Sequence, residues 1–174
     1  RAPWHKLALG NLRGVRRWAA LHRYEPYWNT ACTGERAGAV PAETQFLMVS
    51  LEDGKVGVLV PLIDGDFRAA LQGQGDDGLA LVVESNDPAV VTDRVTGLFV
   101  AVGESPYELL PQAAASVMER MKTGRLREEK DLPDFMDYFG WCTWNAFYQQ
   151  VSHDLVRQGL ESFRKGGVQP RFMI

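Results

Sequence analysis

The eleven residues Tyr138–Tyr148 (Tyr-Phe-Gly-Trp-Cys-Thr-Trp-Asn-Ala-Phe-Tyr) constrain this chain more than any other stretch. Six of them are aromatic, against 10% of the chain as a whole. The first half reads as a short strand buried on both faces, with Gly140 permitting close backbone approach. Polarity rises at Asn145, where that strand is expected to end. A helix is expected next, with Ser152 as its N-cap and Asp154 in its first turn. Leu155, Val156, Leu160 and Phe163 recur at helical spacing, and Gly166-Gly167 stops the pattern. Pro170–Ile174 then opens a second apolar strand. Strand, helix, strand predicts a βαβ unit with parallel strands.

Aromatic residues at a strand end suit a sugar. A pyranose has an apolar C–H face that stacks on an indole and a polar rim that needs hydrogen-bond partners. Packing is the commoner use of buried Trp and Phe, and from pattern alone it stands ahead.

Upstream, the pattern changes to short apolar runs divided by turns. Phe46–Val49 and Val56–Val60 flank Glu52-Asp53-Gly54-Lys55, a hairpin signal. Further turns are expected at Asp64-Gly65-Asp66 and Gln74–Gly78, with strands at Leu79–Val83 and Gly97–Val102. Ser105-Pro106-Tyr107-Glu108 predicts a helix start with a capping box. Pro111 should bend or restart that helix, which continues to Gly124. Together these predict an all-β region over about residues 1–104 and a helix over about 106–122.

Several chemistries lack a signature. Asp64, Asp66, Asp76 and Asp77 miss calcium-loop spacing and read as turn residues. Gly73-Gln74-Gly75 opens no helix, so it is no phosphate loop. His5, His22 and His153 have neither metal-ligand spacing nor a nucleophile beside them. No metal and no cofactor are expected. A net charge of −3 gives no electrostatic case for nucleic acid or an anionic membrane. The basic, aromatic segment from Arg1 to Arg23 reads as a solvated face. No apolar run approaches the roughly 20 residues that span a bilayer. Cys32 and Cys142 read as reduced thiols, which suits the cytoplasm, with a plastid as the alternative. Asp131, Asp134 and Asp137 precede the aromatic strand and read as linker and capping residues. Both chain ends look cut, and the expectation is a fragment.

Specific runs resemble a known family. Phe139–Tyr148 matches the pattern F-G-W-C-T-W-D-A-F-Y at nine of ten positions. Gly159–Phe163, Lys165–Gly167 and Pro170–Ile174 match the run that follows it. Glu43-Thr44-Gln45, Gly65–Gly73 and Glu84–Pro88 match P-x-E-T-Q, G-D-F-R-A-x-L-Q-G and E-S-x-D-P. The chain thus resembles the family of raffinose synthases, seed-imbibition proteins and alkaline α-galactosidases.

The resemblance implies a mostly β fold: an N-terminal β-sandwich domain over 1–131, including the linking helix, then the first strand, helix and second strand of a (β/α)8 TIM barrel over 132–174. It implies a strand near Leu21–Tyr27. It implies a parent that transfers or hydrolyses α-galactosyl groups with retention, acting on galactinol, sucrose or raffinose-type sugars. Retention needs two carboxyl groups about 5–5.5 Å apart. In the family both lie on later barrel strands, so no catalytic residue is expected here and this chain alone should be inactive. Trp144, Asn145 and Trp141 are the expected sugar contacts. Trp28 matches a family Trp of the N-terminal domain that reaches the sugar, while Tyr27 and Asn29 depart from the family Trp and Met. Asn145 stands where the family has Asp; it keeps an acceptor oxygen, loses the charge and gains an NH2 donor. The alternative reading is a non-catalytic β-sandwich that binds sugar or protein.

Overall fold

The computed structural model describes residues 4–174, and Arg1–Pro3 at the head of the basic segment lie outside them. The chain divides into two compact units, Arg1–Leu126 and Arg127–Ile174.

The first unit is built from β1 (Trp4–Asn11), β2 (Val15–Glu25), β3 (Trp28–Gly34), β4 (Thr44–Leu51), β5 (Val56–Pro61), β6 (Ile63–Asp64), β7 (Phe67–Gln74), β8 (Gly78–Glu84) and β9 (Leu98–Gly103). Every pairing among them is antiparallel. One set runs β3-β2-β4-β5-β9 and the other β1-β8-β7-β6, joined by a single Cα pair, Thr44 opposite Leu71. That narrow join lets the two sets face each other. The alternation of side chains along each strand then sends Trp18, Ala20, Leu47, Val49 and Leu59 from one set against Ala69, Leu71, Leu79 and Leu81 from the other. The turns expected at Asp53-Gly54, Asp64–Asp66 and Gln74–Gly78 are where β4–β5, β6–β7 and β7–β8 reverse. The strand expected over Leu21–Tyr27 begins earlier and stops at Glu25, because Pro26-Tyr27 form the turn into β3.

Helix α1 (Pro106–Met121) packs on β9 and β5, burying Leu109 and Ala113. It covers the outer face at Val58, which is fully buried although its neighbour Leu59 points into the core. Two expectations about α1 need correction. Ser105 precedes the helix but its side chain makes no capping hydrogen bond, so the capping box does not form. Pro111 lies inside one continuous helix and does not restart it. The helix runs to Met121, as expected, with Lys122 capping it in the left-handed region at φ 54°. No helix of the described residues is long and apolar enough to cross a membrane.

The second unit holds β10 (Gly140–Trp141), α2 (Trp144–Phe147), α3 (His153–Lys165) and β11 (Phe172–Met173). β10 and β11 are parallel, with Gly140 opposite Phe172 and Trp141 opposite Met173. The helix between them has the expected cap: the Leu155 backbone N–H donates to Ser152 Oγ at 3.3 Å. The aromatic strand is shorter than expected. It ends at Trp141, and Trp144-Asn145 already belong to a helical turn. Its two residues, Gly140 and Trp141, are half-buried, and Phe139 beside them is exposed.

Candidate functional site

Gly140 and Gly159 explain why the aromatic run packs where it does. A Cβ at Gly140 would fall into the Phe172 ring on the neighbouring strand, and one at Gly159 would fall into the Trp141 indole. The rings occupy the space that the glycines leave. Trp141 meets Phe163 at 5.2 Å and Phe147 at 5.8 Å between centroids, both edge to face. Phe172 takes Phe135 on its edge at 5.8 Å. The Arg171 guanidinium sits 3.9 Å from the centre of the Tyr138 ring.

The strand end is pinned by backbone bonds. Arg171 N–H donates to Phe139 O at 2.8 Å, Ile174 N–H to Trp141 O at 3.0 Å, and Thr143 N–H to Ile174 O at 2.9 Å. Thr143 Oγ1 donates to the same Ile174 carbonyl at 3.0 Å. The chain then leaves the ladder and turns through α2. Tyr148 closes that turn at φ 49°, a conformation side chains other than glycine rarely hold. This brings the Tyr148 ring edge-on to Trp144, 5.7 Å between centroids.

Between α2 and the start of α3 lies an open cleft of about 710 Å³, lined by Trp144, Ala146, Phe147, Tyr148, Gln149, Gln150 and Leu155. Trp144 is 55% exposed, so its ring is available to a ligand. The cleft combines two exposed rings with two side-chain amides, which both donate and accept. Asn145, also exposed, lies on the same turn but outside the lining. Trp141 lies beneath, clasped by Phe147, Phe163 and Gly159. Of the residues expected here, the structure gathers Trp141, Trp144 and Asn145 on one strand end. Tyr148, Gln149 and Gln150 were missed. Tyr148 stood in plain view as the last aromatic of the run; the glutamines carried no signal. No carboxylate lines the cleft.

Trp28, the fourth expected contact, belongs to the first unit. It opens β3, is 62% exposed, and lies opposite Glu25 across the β2–β3 hairpin. Close to this hairpin is an ion network that the sequence did not disclose. Glu43 receives Arg68 through both carboxylate oxygens, at 2.7 and 3.0 Å, and Arg23 Nη2 at 2.9 Å. Arg68 also pairs with Glu84. The Arg68 hydrogen bonds hold the Glu43 carboxyl below its ordinary range, and Glu43 in turn raises Arg68. Of these four residues, Glu43, Arg68 and Glu84 come one each from the P-x-E-T-Q, G-D-F-R-A and E-S-x-D-P runs. Elsewhere on β2 and β3, Cys32 Sγ lies 3.6 Å from His22 Nδ1, and burial pushes the thiol up. Cys32 and Cys142 are both free thiols.

The two units therefore define a chain with a sheet-rich β domain and a short parallel strand–helix–strand unit that carries an aromatic and amide cleft. By its match to the family model described as raffinose synthase or seed imbibition protein Sip1, over residues 2–174, this chain belongs to that family. It is 39% identical over 180 residues to the probable galactinol–sucrose galactosyltransferase 1 of Arabidopsis thaliana, covering 96% of this chain and 24% of that protein. It is 32% identical over 169 residues to the stachyose synthase of Pisum sativum, covering 96% of this chain and 20% of that protein. The chain thus spans about a quarter or less of the curated relatives it matches. Among solved structures, an α-galactosidase from Thermus thermophilus in complex with stachyose overlaps 93% of this chain and 35% of its own, with 17% identity and a TM-score of 0.49.

Proposed function

We propose that this chain is a sugar-binding portion of an enzyme that transfers or hydrolyses α-galactosyl groups with retention, using galactinol, sucrose or raffinose-type sugars. The observation that carries the reading is the Trp144–Tyr148 cleft, placed on the family's most specific run in a chain that matches the family model along nearly its whole length. Trp144 offers an exposed ring to the C–H face of a pyranose; Tyr148, Gln149, Gln150 and Asn145 offer hydrogen bonds to its rim. Trp141 is the buttress under that platform, and Trp28 is a sugar contact that the match to the family Trp supports. The cleft binds and orients; the carboxyl pair that retention needs belongs to sequence outside this chain. On this reading the first unit is a β-sandwich and residues 132–174 open a (β/α)8 barrel. The parallel β10–β11 pair around α3 supports it, and Trp144-Asn145 then follow the C-terminal end of a strand, where barrel enzymes keep their sites. The free thiols fit a reducing compartment, the cytosol or a plastid.

The test is Trp144→Ala in a family-length protein, assayed on an α-galactoside. Loss of a stacking ring should lower kcat/KM by roughly 10-fold, about 1.4 kcal/mol, within the range of an aromatic stack. Unchanged kcat/KM in a folded protein would reduce Trp144 to a packing residue. A family-length protein with no turnover of any α-galactoside would favour a non-catalytic sugar-binding module.

A further inference from the structure

We infer that Glu43 is a positioning residue, and that it sets the aim of the hairpin that carries Trp28. The inference rests on the proposed sugar contact of Trp28 and adds the device that holds it.

Glu43 has left-handed backbone, φ 61°. That region disfavours a side chain, and glycine would enter it freely. A glutamate there implies that its carboxylate returns more than the backbone loses. The turn itself is secured separately, since buried Thr44 donates through Oγ1 to Pro41 O at 2.8 Å. What remains for the carboxylate is to connect β7 to β2. Arg68 on β7, tied also to Glu84 on β8, grips it from one side. On the other side it receives Arg23 on β2.

Arg23 is held twice by the same residue. Its guanidinium reaches Glu43 Oε2, and its backbone N–H donates to Glu43 O at 3.1 Å. It is also the last residue of β2 in regular register before the hairpin tip. Arg23 stands opposite Asn29, the register slips at Tyr24, and Glu25 stands opposite Trp28. A bulge re-aims the strand beyond it, so the direction of Trp28 depends on what fixes the residue before the bulge. That residue is Arg23, and its fixed point is Glu43. Tyr24, Tyr27 and Trp28 are all largely exposed, so among the described contacts the core does not clamp the tip.

The experiment is a double-mutant cycle in the family-length protein, read as KM and kcat for an α-galactoside donor. Trp28→Ala should raise KM about 5-fold with kcat little changed. Glu43→Gln should do the same, and the double variant should be no worse than Trp28→Ala alone, because Glu43 acts through Trp28. Arg23→Gln removes the guanidinium link to the hairpin while leaving the backbone bond and both Arg68 pairs, so it should reproduce the KM effect even where Glu43→Gln fails to fold. If Trp28→Ala leaves KM unchanged, the sugar contact of Trp28 falls, whatever Trp144 does. If Trp28→Ala raises KM but Glu43→Gln and Arg23→Gln do not, or if their effects multiply with it, Glu43 does not position Trp28.

Discussion

The glycine at position 159 sits in the middle of α3, where an alanine would ordinarily favour the helix by about 1 kcal/mol. Here the sign reverses. The space a methyl group would need is filled by the Trp141 indole, and Phe147 and Phe163 keep that ring from moving aside. Overpacking of this kind costs about 1–3 kcal/mol. Gly159→Ala should therefore lower the thermal midpoint of the second unit, followed by near-ultraviolet circular dichroism of its tryptophans. A raised midpoint would mean the indole relocates without loss. This residue also marks a limit of reading a chain linearly. Gly159 and Trp141 both belong to family-like runs, yet nothing in their spacing of eighteen residues says that one is the socket of the other. The same holds for Glu43, Arg68 and Glu84, which are motif letters in three runs and one ion network in space.

At the level of elements, two helices with the same apparent start signal behave differently. Ser152 accepts the Leu155 N–H, whereas Ser105 caps nothing through its side chain. An effective serine cap is worth about 1 kcal/mol. Ser152→Ala should then destabilise the protein by about that amount in urea titration, and Ser105→Ala by well under half of it. Equal losses would mean that Ser105 caps α1 in solution. Turns were the most legible elements, because Asp-Gly and Gly-rich sites carry their own backbone requirement, and Gly54, Gly65 and Gly75 all have positive φ. The aromatic strand was over-read for the opposite reason. Apolar and aromatic residues favour a strand and a helical turn alike. Thr143 donates its N–H and its hydroxyl to the Ile174 carbonyl, which carries the parallel pairing past Trp141, and the chain turns into α2 at Trp144. The cleft exists because of that turn, so its glutamines could not be found by extending a strand.

For the whole molecule, the boundary between units falls after Leu126. From Lys122 to Pro133 the chain has no regular element beyond a single 3-10 turn at Arg127–Glu129, and most of its side chains are exposed. Lys122, Arg125, Arg127 and Lys130 are all in this stretch. Cleavage concentrates at exposed backbone with few buried contacts. Limited trypsin digestion should thus cut first between Lys122 and Lys130 and leave the first unit as the longest-lived fragment by mass spectrometry. First cuts within β2 or β7, which also contain arginines, would mean that the sheet unit opens more readily than the boundary. The division was only partly legible beforehand: the mixed charge of Arg125–Lys130 suggested a solvated linker, while the helix before it gave no sign of which unit it would join.

The partner of β1 is β8, with Leu7 opposite Leu81. During synthesis β1 leaves the ribosome long before that partner exists. At roughly 5–20 residues per second, the wait is on the order of several seconds. Through that interval its unpaired N–H and C=O groups are open to any other nascent strand. A protein built this way holds β1 unpaired until β8 arrives, and translation speed becomes one of the conditions under which it folds correctly.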